Sequence, residues 1–264
     1  KTNKKKICLI HGKEINHEKG TSLNKRVLEV LENVETIVAN SEYTKNLAIK
    51  LGVKENKIVV INPGIYPVEE LDKKILDKVE NLLQHKSPRL ITVSRFDKRK
   101  NHFNIIMALR NLKQIYPNIV YICIGDGDEE DNIKDITAEL SLNGQVMFFK
   151  NITSDLKNSL LSKSNIFVMP SIINKSSVEG FGIAYIEAAQ YGVPSLGGKD
   201  GGASDAIENE KTGLICDGND LDAIYSSIDL MLKNNKYIEY GKSARENSSK
   251  FLWNKIIKKY KEIL

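Results

Sequence analysis

Two acidic residues eight positions apart are the strongest candidates for binding chemistry in this sequence. Glu179 precedes Gly180 and Gly182, and glycines let a backbone approach a ligand closely. Glu187 is the only charged residue of the apolar segment that follows. A carboxylate on such a segment is costly to bury unless donors satisfy it, and a ligand with paired hydroxyl groups would do so. A helix beginning near Phe181 would also direct its N–H groups at an anion, whereas a capping acid and a partly exposed acid would need no ligand.

A basic loop is the second candidate, because it follows a predicted strand and precedes a predicted helix. Arg95 comes directly after the strand at 89–94. Three further cations stand just behind it: Lys98, Arg99 and Lys100. A phosphate at such a place gains from the cations and from the N–H groups of the helix. Taken alone, however, a run of charges is more often a solvated surface.

Three other loops at the ends of predicted strands could reach the same ligand. His11 follows the first predicted strand, where a histidine is about as often structural as functional. The glycines of 125–127 follow another strand but do not form a dinucleotide-binding fingerprint. The second glycine-rich loop, 197–202, is either a simple turn or a nest of N–H groups for an anion.

Strand and helix patterns alternate along the chain, which predicts parallel sheets joined by right-handed crossovers. The first unit has predicted strands at 7–10, 36–39 and 58–61. A charged helix from about 69 to 85 leads to the second unit. Its predicted strands are 89–94, 119–124, 145–149, 165–169 and 213–216, with helices between and after them.

The length of 264 residues suits two domains. We expect four parts: a first Rossmann-like domain at 1–66, a linker helix at 67–86, a second Rossmann-like domain at 87–250, and a terminal helix at 251–264. Three strands are fewer than the five or six of a complete doubly wound domain. We therefore expect the first domain to be incomplete in this chain, which begins with Lys1.

The composition is that of an ordinary globular protein. Hydrophobic residues make up 41% and charged residues 28%, and the net charge of +5 is too mild to indicate a nucleic-acid partner. No apolar run approaches the length of a membrane span. The scattered cysteines, Cys8, Cys123 and Cys216, predict buried thiols in a reducing compartment rather than a metal site.

Taken together, the motifs resemble those of the retaining glycosyltransferases of family 4, which have the GT-B fold. The resemblance rests on the E-x7-E pattern from Glu179 to Glu187 and on S-R-F-D-K-R-K-N, which contains Arg95 and Lys100. Four further motifs follow the family's order: I-H-G at 10–12, I-N-P-G-I at 61–65, I-G-D-G at 124–127 and G-G-A-S-D at 201–205. The stretch around 179–206 is most similar to mannosyltransferases of the phosphatidylinositol-mannoside type.

The resemblance implies a role for each matching position. Arg95 and Lys100 would hold the donor diphosphate, Glu179 the transferred sugar and Glu187 the ribose, while His11 would line the reaction centre from the first domain. The implied catalytic set is His11, Arg95, Lys100 and Glu179. The remaining implied donor-binding positions are Gly125, Lys150, Asn151, Ile152, Gly180, Phe181, Gly182 and Ile183. Lys150 and Asn151 replace a Gly-Arg pair that is common in the family, so the nucleobase is not predicted.

The resemblance further implies transfer of a hexose from a GDP- or UDP-linked sugar, without a metal or other cofactor, to a glycan or a lipid-linked acceptor in the synthesis of cell-envelope polysaccharide or glycolipid. Two alternatives stay open: another enzyme of this fold, such as a nucleotide-sugar epimerase, and a donor-binding fragment without activity. Donor incubated without acceptor distinguishes the epimerase.

The last predicted helix is amphipathic and has two potential uses. Its apolar side carries Trp253, Ile256, Ile257 and Tyr260, and lysines lie opposite. We expect that side to pack on the first domain, as the family's terminal helix does, and consider contact with anionic lipid the less favoured use. The expected location is cytoplasmic, with peripheral contact at the inner face of the membrane as a further possibility.

Overall fold

Three short apolar runs of the first unit form a parallel sheet. The computed structural model, which describes residues 5–18 and 20–264, places β1 (Ile7–Ile10), β2 (Thr36–Ala39) and β3 (Ile58–Val60) side by side in that order. The connecting helices are α1 (Ser22–Glu32) and α2 (Glu42–Leu51). Ser41 begins α2 as predicted, because its side chain accepts a hydrogen bond from the N–H of Thr44.

The second unit contains a larger parallel sheet with the order β6-β5-β4-β7-β8-β9. Its strands are β4 (Arg89–Val93), β5 (Val120–Ile124), β6 (Val146–Phe149), β7 (Ile166–Met169), β8 (Ser195–Gly198) and β9 (Gly213–Cys216). The chain winds outward from β4 to β6 and then returns to the other side of β4. This is the doubly wound strand order, and its direction reverses between β4 and β7.

Helices cover both faces of the larger sheet. They are α3 (Lys73–Leu82), α4 (His102–Ile115), α5 (Glu130–Glu139), α6 (Ser154–Ser162), α7 (Ile183–Gln190), α8 (Ala203–Ala206), α9 (Leu221–Leu232) and α10 (Lys236–Ser248). Alternate residues of β5 therefore belong to different cores: Tyr121 and Cys123 face one, and Val120 and Ile122 face the other. Burial on both faces explains why this strand is apolar throughout, and each large side chain contributes roughly 1.5–3 kcal/mol.

β8 is a strand that the sequence did not predict. Gly197 and Gly198 lie in it, paired with β7 and β9, so the predicted glycine-rich loop starts later than expected. A side chain at Gly198 would stand 2.0 Å from the carbonyl oxygen of Ser171. The glycine is required by this close approach of two backbones, which outweighs its poor strand propensity.

The chain crosses between the two units twice, and the crossings are hydrogen-bonded to each other. The N–H of Ile65 donates to the carbonyl of Phe251 at 2.8 Å, and the N–H of Trp253 donates to Ile65 at 3.0 Å. The last helix, α11 (Trp253–Ile263), then packs on the first unit, where Ile256 is fully buried among Val38 and Ile61. Only part of the predicted apolar side packs on the first unit, since Ile257 remains 50% exposed.

The cysteines are free thiols, but they are not equally enclosed. Cys123 and Cys216 are buried, whereas Cys8 is half-buried, which corrects the expectation of three buried thiols. Burial raises the pKa of the Cys216 thiol to about 12. Within the described ranges, no helix combines the length and the apolar character that crossing a membrane requires.

Candidate active site

The candidate residues from two loops meet where the order of the large sheet reverses. One loop follows β4 and carries the basic run 95–100, and the other follows β7 and carries Glu179. Ligands of doubly wound sheets bind outside the carboxyl ends of the strands at such a switch point. Asn101 ties the region together, because its amide donates to the carbonyl oxygens of Pro170 at 2.9 Å and Gly218 at 2.7 Å. These two hydrogen bonds therefore fix the basic loop against the segments that follow β7 and β9.

Glu179 lies at the centre of a buried ionic cluster. The residue is 8% exposed, and its Oε2 atom accepts from Arg99 Nη1 at 2.6 Å and from Lys100 Nζ at 2.5 Å. Burial alone would raise the pKa of this carboxyl, but Lys100 and Arg99 outweigh it and lower the pKa below its ordinary value. Glu179 is therefore ionised at neutral pH. This contact brings two predicted site residues, Glu179 and Lys100, directly together.

Arg99 is a member of the cluster to which the sequence assigned no role. It is 9% exposed, and its carbonyl oxygen accepts from the N–H of Ile172 at 2.9 Å. In the sequence it was one cation of a charged run, for which a solvated surface is the usual explanation. Its role depends on Glu179, which lies on another loop and contacts Arg99 only once the chain is folded.

Arg95, in contrast, stands apart from Glu179. Its side chain is 73% exposed and pairs with Asp97 at 3.1 Å. Asp97 also begins the short 3₁₀ helix at 98–100, since its side chain accepts from the N–H of Lys100 at 3.2 Å. The structure thus separates the two residues that the resemblance assigned to the diphosphate: Lys100 is enclosed, and Arg95 lies at the rim.

The loop after Glu179 fits tightly against the first unit. A side chain at Gly180 would stand 2.0 Å from the carbonyl oxygen of His11 and 2.7 Å from the amide nitrogen of Asn40. Phe181 is buried, and its ring packs on Phe251 with centroids 5.6 Å apart. Gly180 therefore serves the contact between the units, whereas Phe181 packs in the core of the second unit.

The helix that follows this loop, α7, starts at Ile183, two residues later than predicted. Gly182 precedes it with a φ of +88°, a left-handed conformation that favours glycine. Ile183 is exposed. The first N–H groups of α7 therefore lie four residues beyond Glu179, at the edge of the same loop.

The glycine pair at 201–202 serves the backbone of the site rather than an anion nest. The N–H of Gly202 donates to the carbonyl oxygen of Glu179 at 2.8 Å. A side chain at Gly202 would meet the carbonyl oxygen of Gly180 at 2.0 Å. Because the N–H group is already used within the protein, this glycine supports the Glu179 loop from behind.

Glu187 differs from its predicted environment. The carboxylate is not buried in the apolar segment: its side chain is 36% exposed, 3.5 Å from Lys157 Nζ. Its neighbours Tyr185, Ile186 and Ala188 face the core, because the helical turn directs them inward. The apolar residues around Glu187 therefore have a structural explanation, and its own side chain is open to a ligand.

The residues expected near the nucleobase lie at the ends of the neighbouring strands. Lys150 follows β6 and pairs with Glu130 at 2.9 Å and with Asp126 at 3.9 Å. Asn151 is exposed with a φ of +53°, and Ile152 is half-buried against the core. A side chain at Gly125 would stand 1.9 Å from the carbonyl oxygen of Ser94, so this glycine lets the loops after β4 and β5 meet.

His11 reaches the site mainly through its backbone. Its carbonyl oxygen accepts from the amide of Asn40 at 3.4 Å and lies against Gly180. Its N–H donates to Glu14, and its side chain is exposed. The predicted histidine is thus beside the cleft, on the side of the first unit.

A second contact between the units is made by Asp205. Its Oδ2 atom accepts from the N–H of Glu42 at 2.9 Å and from the amide of Asn62 at 3.2 Å. Burial raises the pKa of this carboxyl, although the two hydrogen bonds oppose the shift. Asp205 therefore holds the N-terminus of α2 and the end of β3 against the second unit.

A large cavity lies beside this site but does not belong to it. It has a volume of about 550 Å³, and Asp97, Phe103 and Glu129 are among its lining residues. Glu179, Lys100 and Glu187 do not line it. Among the described residues, no group of three or more His, Cys, Asp or Glu side chains could hold a metal ion.

Comparisons with known proteins match most of the chain to a family. The family described as "Glycosyl transferases group 1" matches residues 73–251, which is about two thirds of the chain. A GDP-mannose-dependent alpha-(1-6)-phosphatidylinositol monomannoside mannosyltransferase of Mycolicibacterium smegmatis is 30% identical over 143 residues, covering 53% of this chain and 37% of that protein. The capsular polysaccharide biosynthesis glycosyltransferase CapM of Staphylococcus aureus is 28% identical over 243 residues, covering 86% and 62%. The chain thus spans 37–62% of the length of these relatives.

Solved structures match the fold of nearly the whole chain. A glycosyltransferase from Rickettsia africae is 25% identical with a TM-score of 0.81, covering 97% of this chain and 69% of that one. Anabaena Alr3699/HepE in complex with UDP-glucose has a TM-score of 0.82 at 19% identity, covering 97% and 71%, and this likeness concerns the fold alone. These findings confirm the predicted resemblance and fold class: the chain belongs to the glycosyl transferases group 1 family and has the GT-B fold.

Proposed function

We propose that this chain carries the donor site of a retaining hexosyltransferase, which moves a sugar from a GDP- or UDP-linked donor to a glycan or a lipid-linked acceptor. The observation that carries the proposal is the cluster of Glu179, Arg99 and Lys100 at the switch point of the large sheet. The names of the relatives support a role in the synthesis of cell-envelope glycolipid or polysaccharide.

The charges of the cluster suit the reaction. Breaking the bond between the anomeric carbon and the phosphate oxygen leaves negative charge on the nucleoside diphosphate. Lys100, Arg95 at the rim and the first N–H groups of α7 would stabilise that charge. Glu179 has one oxygen, Oε1, that accepts no hydrogen bond among the described residues, so it can accept one from a sugar hydroxyl. These side chains would supply the charge stabilisation without a metal or another cofactor.

The two ends of the donor have separate places in this proposal. Glu187 would accept from the ribose hydroxyls, because its carboxylate is open and Lys157 lies 3.5 Å away. The base would lie against 150–152, at the end of β6 beside β5. The N–H groups and carbonyls of Gly180, Gly182 and Ile183 would line the path of the phosphates and the sugar, with Phe181 and Gly125 supporting these loops from behind.

The acceptor would enter from the side of the first unit, where His11 has an exposed side chain. It would attack the same face of the sugar that the phosphate leaves, so that the anomeric configuration is retained, as the family resemblance implies. A lipid-linked acceptor is supported by the name of the Mycolicibacterium smegmatis relative. The enzyme would then work in the cytoplasm at the inner face of the membrane, and the exposed lysines of α11 would contact anionic lipid.

Turnover with a panel of nucleotide sugars tests the proposed reaction. The chain is incubated with UDP-glucose, UDP-galactose, UDP-N-acetylglucosamine and GDP-mannose, each with vesicles containing phosphatidylinositol or with a glycan mixture. We expect one donor to release its nucleoside diphosphate and mass spectrometry to find the hexose on an acceptor with retained configuration.

Reactions without acceptor provide the control. A changed sugar on the intact nucleotide would replace the proposal with an epimerase. Binding of a donor without any turnover would reduce the chain to a donor-binding module. If no donor were bound or consumed, the proposed function would be wrong.

A further inference from the structure

The basic loop supplies Glu179 with more positive charge than one carboxylate needs. Arg99 Nη1 and Lys100 Nζ contact the same atom, Oε2, at 2.6 and 2.5 Å. These three side chains together carry one net positive charge, part of which Asp97 offsets, since its Oδ2 atom lies 3.9 Å from Arg99 Nη2. All three side chains are nearly enclosed, with 10–12% of their side-chain surface exposed, so solvent screens this excess only weakly.

The two cations are held differently. Arg99 is anchored through its backbone, since its carbonyl oxygen accepts from Ile172, and Nη2 lies 3.9 Å from Asp97. Its Nε atom is fully buried, so the guanidinium has no open edge on that side. Lys100 carries its charge on a flexible four-carbon chain. Burial lowers the pKa of its ammonium group, with help from Arg99 and against the opposing charge of Glu179.

We propose that Arg99 is a positioning residue, which keeps Glu179 ionised and in place while Lys100 turns from Glu179 to the diphosphate of the donor. This inference rests on the proposed function, because it assigns Lys100 to the donor. Removing one partner of a buried ion pair leaves an uncompensated charge, which is strongly unfavourable. With Arg99 present, Lys100 can leave Glu179 without that cost. With Arg99 absent, Lys100 would remain bound to Glu179.

A double-mutant cycle in nucleoside-diphosphate binding tests this exchange. Calorimetry with UDP and GDP compares the wild type, Arg99→Met, Glu179→Gln and the double variant. We expect Arg99→Met to weaken binding at least tenfold at neutral pH, and Arg99→Lys to restore most of it. In the Glu179→Gln background the same change should cost less than twofold, because no carboxylate then retains Lys100. Equal losses in both backgrounds would show a direct contact with phosphate and overturn the inference.

The pH dependence gives a second signature. Protonation of Glu179 removes the charge that retains Lys100, so the deficit of Arg99→Met should shrink as the pH falls through the pKa of Glu179. The ratio of the wild-type and variant affinities isolates this effect, because the titration of the phosphate is common to both. Lys211→Met is the control: its side chain is 66% exposed and it precedes β9, at the other edge of the sheet, so it should bind like the wild type.

A measurement without ligand separates this inference from the proposed function. Because the folded protein lowers the pKa of Glu179, the carboxylate stabilises the fold above its unfolded pKa, and this contribution is lost as the pH falls through the folded pKa. The stability difference between the wild type and Glu179→Gln should therefore grow with pH, and should grow less when both carry Arg99→Met, because Lys100 then lowers the pKa of Glu179 alone. An unchanged pH dependence would overturn the role of Arg99. If neither UDP nor GDP bound the wild type, the proposed function would fail, and this measurement would still decide whether Arg99 holds Glu179.

Discussion

The two sides of the cleft are prepared to different degrees. On the side of the large sheet, Glu179, Arg99 and Lys100 form a buried ionic cluster through contacts within the protein. On the side of the first unit, His11 offers a backbone carbonyl to the interface, and its side chain is exposed. A charged site that is assembled in advance saves the reorganisation that a flexible site would require. On the donor side Arg99 thus holds Glu179 in place, and only Lys100 has to turn to a ligand, while the other side contributes mainly fit.

The two acids of the E-x7-E pattern show the same contrast at shorter range. Glu179 is buried and held by two cations, whereas Glu187 is half-exposed beside Lys157. Burial makes the hydrogen bonds of Glu179 stronger and the loss of a partner more costly. Glu179, the acid nearest the proposed reaction, is therefore fixed by its contacts. Glu187 can adjust its position to the proposed ribose.

The largest expected effect comes from disturbing the fit between the two sides at Gly180. In Gly180→Ala the new methyl group would stand 2.0 Å from the carbonyl oxygen of His11, so one of the two loops must move. A displacement of about 1 Å near a reacting centre can cost about 100-fold in rate. We expect a loss of that order in kcat/KM for transfer, measured in the donor assay, with far-UV circular dichroism unchanged.

Gly144→Ala is the matched control, because a side chain there meets nothing within 4 Å. It should leave transfer unchanged. If Gly180→Ala were as active as this control, transfer would not need close contact between the two sides of the cleft. The claim that the first unit contributes by its fit would then be wrong.

A smaller effect is expected from Asp205, which holds the two units together away from the donor site. Asp205→Ala removes the acceptor for the N–H of Glu42 and the amide of Asn62. Loss of such a helix-terminus contact costs roughly 1–2 kcal/mol in the free energy of unfolding. We expect that decrease in urea unfolding, together with unchanged affinity for nucleoside diphosphate.

Asp77→Ala, an exposed position on α3, serves as its control and should leave the stability within about 0.5 kcal/mol. A loss of nucleotide affinity in Asp205→Ala would mean that the donor side depends on the first unit. The two sides would then not be separable in the way described above.

Much of the fold was predictable because its elements are signalled locally. The apolar run of β5 and the cap at Ser41 each specify their structure within a few residues. β8 was missed because Gly197 and Gly198 are poor strand formers. Side chains of α8, β9 and Ile207 crowd Gly197, and the approach of the Ser171 backbone explains Gly198. That approach is a property of the assembled sheet.

The sequence predicted most residues of the candidate site but not the contacts that they make with one another. The motif spacing led to Glu179 and Lys100, which do meet. Arg99 was named only as one cation of the basic loop, because its partner, Glu179, lies 80 residues away in the chain. The burial of Glu187 was overestimated, since the apolar residues beside it point to the other side of α7. Which side of a helix faces the site depends on tertiary packing.

Calorimetric titration of the chain with UDP and GDP tests the central claim, a donor site that is assembled in advance on the large sheet. We expect at least one of the two to bind without magnesium, and Lys100→Ala to weaken that binding about tenfold or more, as the loss of a charge-assisted hydrogen bond predicts. Arg95→Ala, at the exposed rim, should weaken it less, and Lys211→Ala, away from the site, should not change it. Binding of neither nucleotide, or equal binding by the wild type and Lys100→Ala, would contradict the claim.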